Sequence, residues 1–443
     1  LSAGLAGLVH TGLVESSPCR IVSPTYLQDI RRRRFGLKRG PIEDSEAIEV
    51  ARESGANILL SGRIMPGENA FVTWHLVDIE TGQSIAAHRM PGENIVAIAD
   101  TIVGNILPLL AEQCGSEITE PPRSVSELTT AEPQAYRHYV AGLLARDEGR
   151  EREELKHLEK AVALDTLFAK AYFELSRHYT REHGLASIYA GKAWDLRSRL
   201  GTKDLMLLEA WLYWIDYRIN DALETHRALL ARWPDDHDAL EGLSSKLYRS
   251  WYSAEALEVA QKGLNLYPDD AAFSIYLLLS LSTQGRFDEA YQLIDREIKQ
   301  DPQNPGSLDN LGMWYLDMCL PDSAEAVFSR VLMMEPGYLW SERGLAVSMY
   351  YRGNTEGALA AYNRILKRLD LTDRTRLGLF NQTVNPYPGL SVLYAEAGRF
   401  REAFAVIEES RRYAPDAESE LRYIRMTINT LLLRSGHADE VLA

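Results

Sequence analysis

The sequence predicts a small α/β domain followed by an all-α solenoid of stacked helix pairs. Three observations predict it. Pro234, Pro268, Pro302 and Pro336 stand 34 residues apart. Ala222, Ala256, Ala290, Ala324 and Ala358 keep the same interval, and each of the first four precedes a proline by twelve residues. Residues 1–118 lack the period and instead alternate short apolar runs with turn-forming residues. A repeat of this length is one supersecondary unit that buries its apolar face only against its neighbours.

The clearest unit runs from Leu308 to Pro336. Leu308, Leu311, Gly312 and Tyr315 fall on one helix, and Ala324, Phe328 and Leu332 on the next. Small Gly312 and Ala324 let two antiparallel helices approach, while Tyr315 and Phe328 fill the space around that contact. Pro336 has no N–H and ends the second helix. Because the pattern recurs in phase, this part of the chain resembles the tetratricopeptide repeat family. The resemblance implies a right-handed superhelix whose first helices line a concave groove.

Leu5, Leu8, Val9 and Leu13 are spaced for one helical face, so the apolar start reads as a packed helix and not as a signal peptide. Cys19–Val22 reads as a short buried strand, and Ser23-Pro24 opens a helix through Tyr26, Leu27 and Ile30. Asp44–Ser54 is a further amphipathic helix. Strands are predicted over Ile58–Ile64, Ala70–Asp78 and Ser84–Arg89, with turns at Pro66–Asn69 and Glu80–Gly82. A helix over Ile95–Leu110 closes a domain of helices on a small mixed sheet. The stretches CRIVSPTYL, AIEVARESGANILLSGRI and FVTWHLVDIETGQSIAAHRM, the last turning at Asp78, Thr81 and Gly82, resemble a TolB-like or FlgO-like domain. Members of that family begin with one more strand, which is not found in this sequence.

Residues 119–134, with Pro121-Pro122 and neighbouring polar residues, read as a connector. The stretch SVSELTTAEPQAYRHYVAG is similar to the junction into repeats in bacterial serine/threonine kinases and in relatives of adenylate cyclases. From residue 135 to 443 about eight repeats are expected, with an insertion at Leu371–Asn381 and a ninth unit starting at Glu418–Leu433. A chain that starts at Leu1 and stops at Ala443 inside a predicted helix is expected to be part of a larger protein.

Composition excludes several functions. The chain has 443 residues and a formal charge of −15, which argues against a general nucleic-acid or anionic-membrane surface. Cys19, Cys114 and Cys319 lack zinc spacing, and an odd count gives no disulfide framework. No run of about 20 apolar residues suggests a membrane span. The phosphate-loop, zinc-protease, nucleophile-elbow and protein-kinase motifs are all missing, so the chain reads as non-catalytic, with no cofactor or metal site. A kinase or cyclase domain would have to lie upstream. An extracytoplasmic location is then expected if a membrane anchor precedes the chain, and a cytoplasmic one otherwise.

The candidate binding residues are those predicted to face the groove from the first helices. They are Phe173, Arg177, Trp211, Trp214, Tyr248, Arg249, Asp309, Met313, Trp340, Arg343 and Tyr350. Aromatic and arginine side chains dominate protein-binding hot spots. The competing reading is that some of them, Trp211 and Trp214 above all, pack against the next repeat. Lys170 and Arg177 offer charge, but Phe173 between them argues against a clamp for a peptide carboxylate. Asp235–Asp238 reads as a helix cap before it reads as a cation site. His157 and His226 read as packing or surface residues. The run Arg31–Arg34, with Lys38 and Arg39 near it, reads as a solvated helix end, the alternative being phosphate or acidic-lipid contact.

Overall fold

The computed structural model describes residues 2–35, 42–65, 71–92, 94–118, 121–147, 150–180, 183–268, 270–368 and 386–413. The turn at Pro66–Asn69, Lys38, Arg39, the insertion and the ninth unit fall outside them. The chain divides into two compact units. One comprises Leu1–His178 and Ser187–Leu277, the other Tyr179–Ala186 and Leu278–Ala443.

The first unit opens with α1 (Ser2–Ser16), α2 (Pro24–Phe35) and α3 (Asp44–Glu53). Three strands follow, β1 (Ile58–Met65), β2 (Phe71–Asp78) and β3 (Ser84–Pro91), and then α4 (Ile95–Gln113). The sheet order is β1-β2-β3 and both pairings are antiparallel, so the sheet is not the mixed one expected. Strands that follow one another in the chain with only a few residues between them pair antiparallel. On β2, Val72, Trp74 and Leu76 are buried in alternation, which places them on one face. Trp74 stacks on His88 of β3 at 4.8 Å. At the β2–β3 turn, Asp78 Oδ1 accepts from the Thr81 amide (2.7 Å) and hydroxyl (2.8 Å).

Two expectations for this region are corrected. Cys19–Val22 forms no strand, and Cys19 is disulfide-bonded to Cys114, with Cα atoms 6.0 Å apart across 95 residues of sequence. The parity of the cysteine count does not decide pairing. What decides it is that α1 packs on α4, which brings the segment after α1 to the end of α4. Gly12 permits that approach, because a Cβ there would lie 2.9 Å from Val103 and 2.8 Å from Val125. Among the described residues, α4 alone would suit a membrane crossing by length and apolarity. Ten of its residues, from Ile95 to Ala111, are instead buried in the core.

The predicted polar connector is also packed. Ser124 and Glu127 form a capping box around α5 (Val125–Leu128). Val125, Leu128, Thr129 and Thr130 are buried, and Asp100 of α4 accepts from the Val125 amide. In the predicted basic run, Arg31 lies 3.6 Å from Glu46, and Arg34 pairs with Glu49 (2.8 Å) and Glu53 (3.0 Å) of α3.

The helix pairs follow. Their first helices are α6 (Pro133–Asp147), α8 (Ala169–His178), α10 (Thr202–Ile215) and α12 (His237–Arg249). Their partners are α7 (Glu151–Leu164), α9 (His183–Asp195), α11 (Ile219–Arg232) and α13 (Ser253–Leu266). Later come α14 (Ala271–Thr283) with α15 (Phe287–Gln300), and α16 (Pro305–Asp317) with α17 (Pro321–Met334). The last pairs among the described residues are α18 (Leu339–Tyr351) with α19 (Thr355–Arg368), and α20 (Pro386–Glu396) with α21 (Phe400–Tyr413). The five periodic alanines are each at most 1% exposed, so the interval marks helix–helix contacts. A second series keeps the same interval in the backbone. Tyr217, Trp251, Gly285, Cys319 and Gly353 all have positive φ, between 56° and 78°.

Within the second unit, Phe328 of α17 fills the space beside two glycines. A Cβ on Gly312 or on Gly344 would lie 2.4 Å from its ring. Leu316, Ala324 and Phe328 form the buried cluster, covered by Tyr315, Leu345 and Val347.

Candidate functional site

In the first unit the starts of the first helices carry a ladder of charges. Lys170 pairs with Asp204 at 2.9 Å, Lys203 with Asp236 at 2.7 Å, and His237 with Asp270 at 2.7 Å. The acids belong there for a local reason. Asp236 caps α12 by accepting from the Ala239 amide (3.0 Å), and Asp270 accepts from the amides of Ala272 and Phe273. The segment Asp235–Asp238 thus contains the predicted cap, and the same acids are also ion-pair partners. Burial opposes charge on His237, but its hydrogen bond to Asp270 and the nearby Asp238 hold its pKa above the ordinary value.

The N-terminal region lies over this ladder. Tyr136 of α6 donates its hydroxyl to the Gly4 carbonyl of α1 at 3.1 Å. Glu15 accepts from the Thr202 amide at 2.6 Å and from its hydroxyl at 3.3 Å. Arg20 reaches Asp235 at 2.7 Å, and Tyr26 meets Tyr267 edge-on at 5.6 Å. Arg123 donates to the carbonyls of Leu200 (2.9 Å) and Ser198. His10 is enclosed against α8 and α10. Burial, then Lys203 and Lys170, push its pKa down to about 3.

Further along the same helices stands a second charged cluster. Arg146 binds Glu174 at 2.6 Å, and Arg177 lies 3.6 Å from Glu174 and 3.4 Å from Asp238. Burial disfavours charge on Asp238, yet Arg177 and Lys203 together hold its carboxyl well below the usual range. Trp211 donates its indole N–H to Ser176 at 2.7 Å. Lys246 is buried with its ammonium 6.0 Å from the Trp211 ring and 5.6 Å from the Trp214 ring. Its hydrogen-bond acceptor is the Gly242 carbonyl at 3.5 Å. Burial, with Arg177 and Arg249 adding to it, lowers its pKa to about 8.

The structure therefore brings Arg177, Trp211 and Trp214 together around Lys246, a residue that sequence reasoning missed. A signal was present, since Lys246 follows Leu243 by three and precedes Leu247, on the apolar stripe of α12. Tyr248 stands beside Tyr276 at 6.4 Å, and Arg249 is exposed. Phe173 is only 6% exposed and does not present its ring. His226 is buried with Nδ1 2.8 Å from the Ala222 carbonyl, and His157 faces His138 with their Nδ1 atoms 2.9 Å apart. Among the described residues no group of three or more His, Cys, Asp or Glu side chains is arranged to hold a metal.

The other candidates fall in the second unit. Asp309 is 7% exposed and accepts from the Ser341 hydroxyl at 2.6 Å. Burial raises its pKa to about 6 against the opposing effects of Ser341 and Arg343. Tyr350 donates to Glu396, Trp340 is half-buried and Met313 is exposed.

No family model matches this sequence, and no curated protein matches it. Among solved structures, a tetratricopeptide repeat protein from Parabacteroides merdae is 14% identical over 56% of this chain and 99% of its own, with a TM-score of 0.40. The Cut9–Hcn1 hetero-tetramer of APC/C is 16% identical over 77% and 63%, with a TM-score of 0.45. Human IFIT1, as a dimer with m7Gppp-AAAA, is 16% identical over 69% and 74%, with a TM-score of 0.42. The fold class, a small antiparallel sheet region followed by tetratricopeptide-type helix pairs, rests on the chain's own helices and 34-residue register.

Proposed function

We propose that this chain is a non-catalytic protein-interaction module that binds a peptide or partner protein on the face of its first helices. The observation that carries the reading is the patch beyond the N-terminal region's contacts. There Arg177, Trp211, Trp214 and Arg249 surround Lys246, whose cation is held by a carbonyl and two indole rings. Aromatic and arginine anchors of this kind carry most of the energy in protein interfaces. Selection of a random-peptide display library against the full chain tests it. A consensus sequence should be enriched and then lost with Trp214→Ala/Arg249→Ala. No enrichment, or enrichment indifferent to that pair, sinks the reading.

A second reading has one observation in its favour. The Cys19–Cys114 disulfide suits an oxidising compartment. This is the setting expected if the chain is the sensory region of a bacterial transmembrane serine/threonine kinase or nucleotide cyclase. The likeness of its N-terminal region to TolB-like or FlgO-like domains, supported by the Asp78–Thr81 turn, belongs to this reading. Coding sequence upstream of Leu1 decides it: a catalytic domain and an apolar span would support it, and their absence there would end it.

A further inference from the structure

The contact between the N-terminal region and the repeats combines apolar contacts with a line of polar and charged groups, and one half-buried imidazole faces that line. His10 lies on the face of α1 that meets the repeats, between Tyr136's contact with Gly4 and Glu15's contact with Thr202. A cavity of about 50 Å³ adjoins it, lined among others by Thr11, Glu15, Lys170, Lys203 and Asp204. A smaller one of about 10 Å³ lies on the side of Asp235 and Asp236. Contacts between domains of one chain generally resemble transient interfaces, which separate and rejoin.

We propose that α1 is a proton-released occupant of the first-helix face: protonating His10 undocks the N-terminal region and uncovers Tyr136, Lys170 and Asp204 for a partner. The charged groups facing His10 explain why a proton is not welcome there. Lys170 comes from α8 and Lys203 from α10, so an imidazolium would add a third cation to a half-buried cluster. The neighbouring acids are already engaged. Asp204 is paired with Lys170, Asp236 with Lys203 and Asp235 with Arg20. Glu15, on His10's own helix, is held by Thr202 and lies 3.7 Å from Arg123. The sign follows from linkage. A histidine whose pKa is depressed when docked favours docking at high pH, and that preference is lost as pH falls below about 6.5.

This inference rests on the interaction reading above, but its test needs no partner. The Thr202 amide begins α10, where an N–H has no acceptor within the helix, and its acceptor is Glu15 of α1. Its hydrogen exchange therefore reports docking, while the Leu208 amide, deeper in α10, serves as the control. With intrinsic exchange corrected for pH, the Thr202 opening constant should rise about 30-fold between pH 7.5 and pH 5. His10→Gln should remain protected at both pH values, which separates His10 from the buried His226. Equal protection of Thr202 at both pH values, or a rise that persists in His10→Gln, overturns the proposal. Should the variant not fold, NMR titration of the wild-type His10 ring decides. Titration near 6.5 while Thr202 stays protected overturns it, and titration together with loss of protection supports it.

Discussion

The Lys203 ammonium lies 2.7 Å from Asp236 Oδ2, and Asp236 Oδ1 at the same time accepts from the Ala239 amide. One side chain thus neutralises a cation from the preceding repeat and starts its own helix. Two variants separate the two tasks. Asp236→Asn can keep the cap but removes the carboxylate that Lys203 pairs with, which should cost about 2 kcal/mol, less than for a fully buried pair because Asp204 and Asp238 remain near the cation. Asp236→Ala should cost about 1 kcal/mol more, for the lost cap. Urea unfolding followed by tryptophan fluorescence measures both. Equal losses would mean that the cap contributes nothing.

Phe328 is the filler that the glycine positions of α16 and α18 require. Gly312→Ala places a methyl carbon 2.4 Å from its ring, and overpacking of this kind costs about 1–3 kcal/mol. Gly312→Arg should unfold the surrounding helices, which circular dichroism melting would register. The mechanism predicts strong non-additivity, since Phe328→Ala removes the obstacle and Gly312→Ala should then cost little in the double variant. Additive losses would point to some cause other than this contact.

The architecture was legible because it is written in small residues. Ala222, Ala256, Ala290, Ala324 and Ala358 are buried at helix–helix contacts, where a small side chain lets the helices approach, so the interval is visible in the sequence. What the repeats hold was less legible. Lys170, Lys203 and His237 are unlike residues at neighbouring register positions, and their pairing with Asp204, Asp236 and Asp270 exists only once the helices stack. The Cys19–Cys114 bond and the packing of Val125 and Leu128 were hidden for the same reason, since both depend on α1 crossing α4. Of the groove candidates, Arg177, Trp211 and Trp214 converge, whereas Phe173 and Asp309 turn inward because the period alone does not fix how deeply a side chain sits.

Trp251 stands where Gly285 and Gly353 stand in later repeats, with φ of 65° and 80% of its surface exposed. An L-residue in that conformation costs about 1–2 kcal/mol, and an exposed indole recovers little of it by packing. Trp251→Gly should therefore raise stability by about 0.5–1 kcal/mol, the gain reduced by glycine's larger freedom in the unfolded chain. Thermal melting checks this. A loss of stability would show that the indole makes a contact worth more than the strain.

Asp309 gives the second unit a pH dependence of unusual sign. Burial lifts its pKa from 3.8 to about 6, so the folded state holds a proton that the unfolded state releases. Its stabilising contribution is fully present below pH 3.8 and is lost as pH rises through 6, by an amount on the order of 3 kcal/mol. Asp309→Asn keeps an oxygen to accept from the Ser341 hydroxyl and removes the titration. At pH 7.5 the variant should be the more stable protein by up to about 3 kcal/mol, and at pH 4 the two should unfold nearly together. Urea midpoints at the two pH values measure the gap. If Asp309→Asn is instead the weaker protein at pH 7.5, the ionised carboxylate is the stabilising form, and its attraction to Arg343 outweighs the burial of its charge.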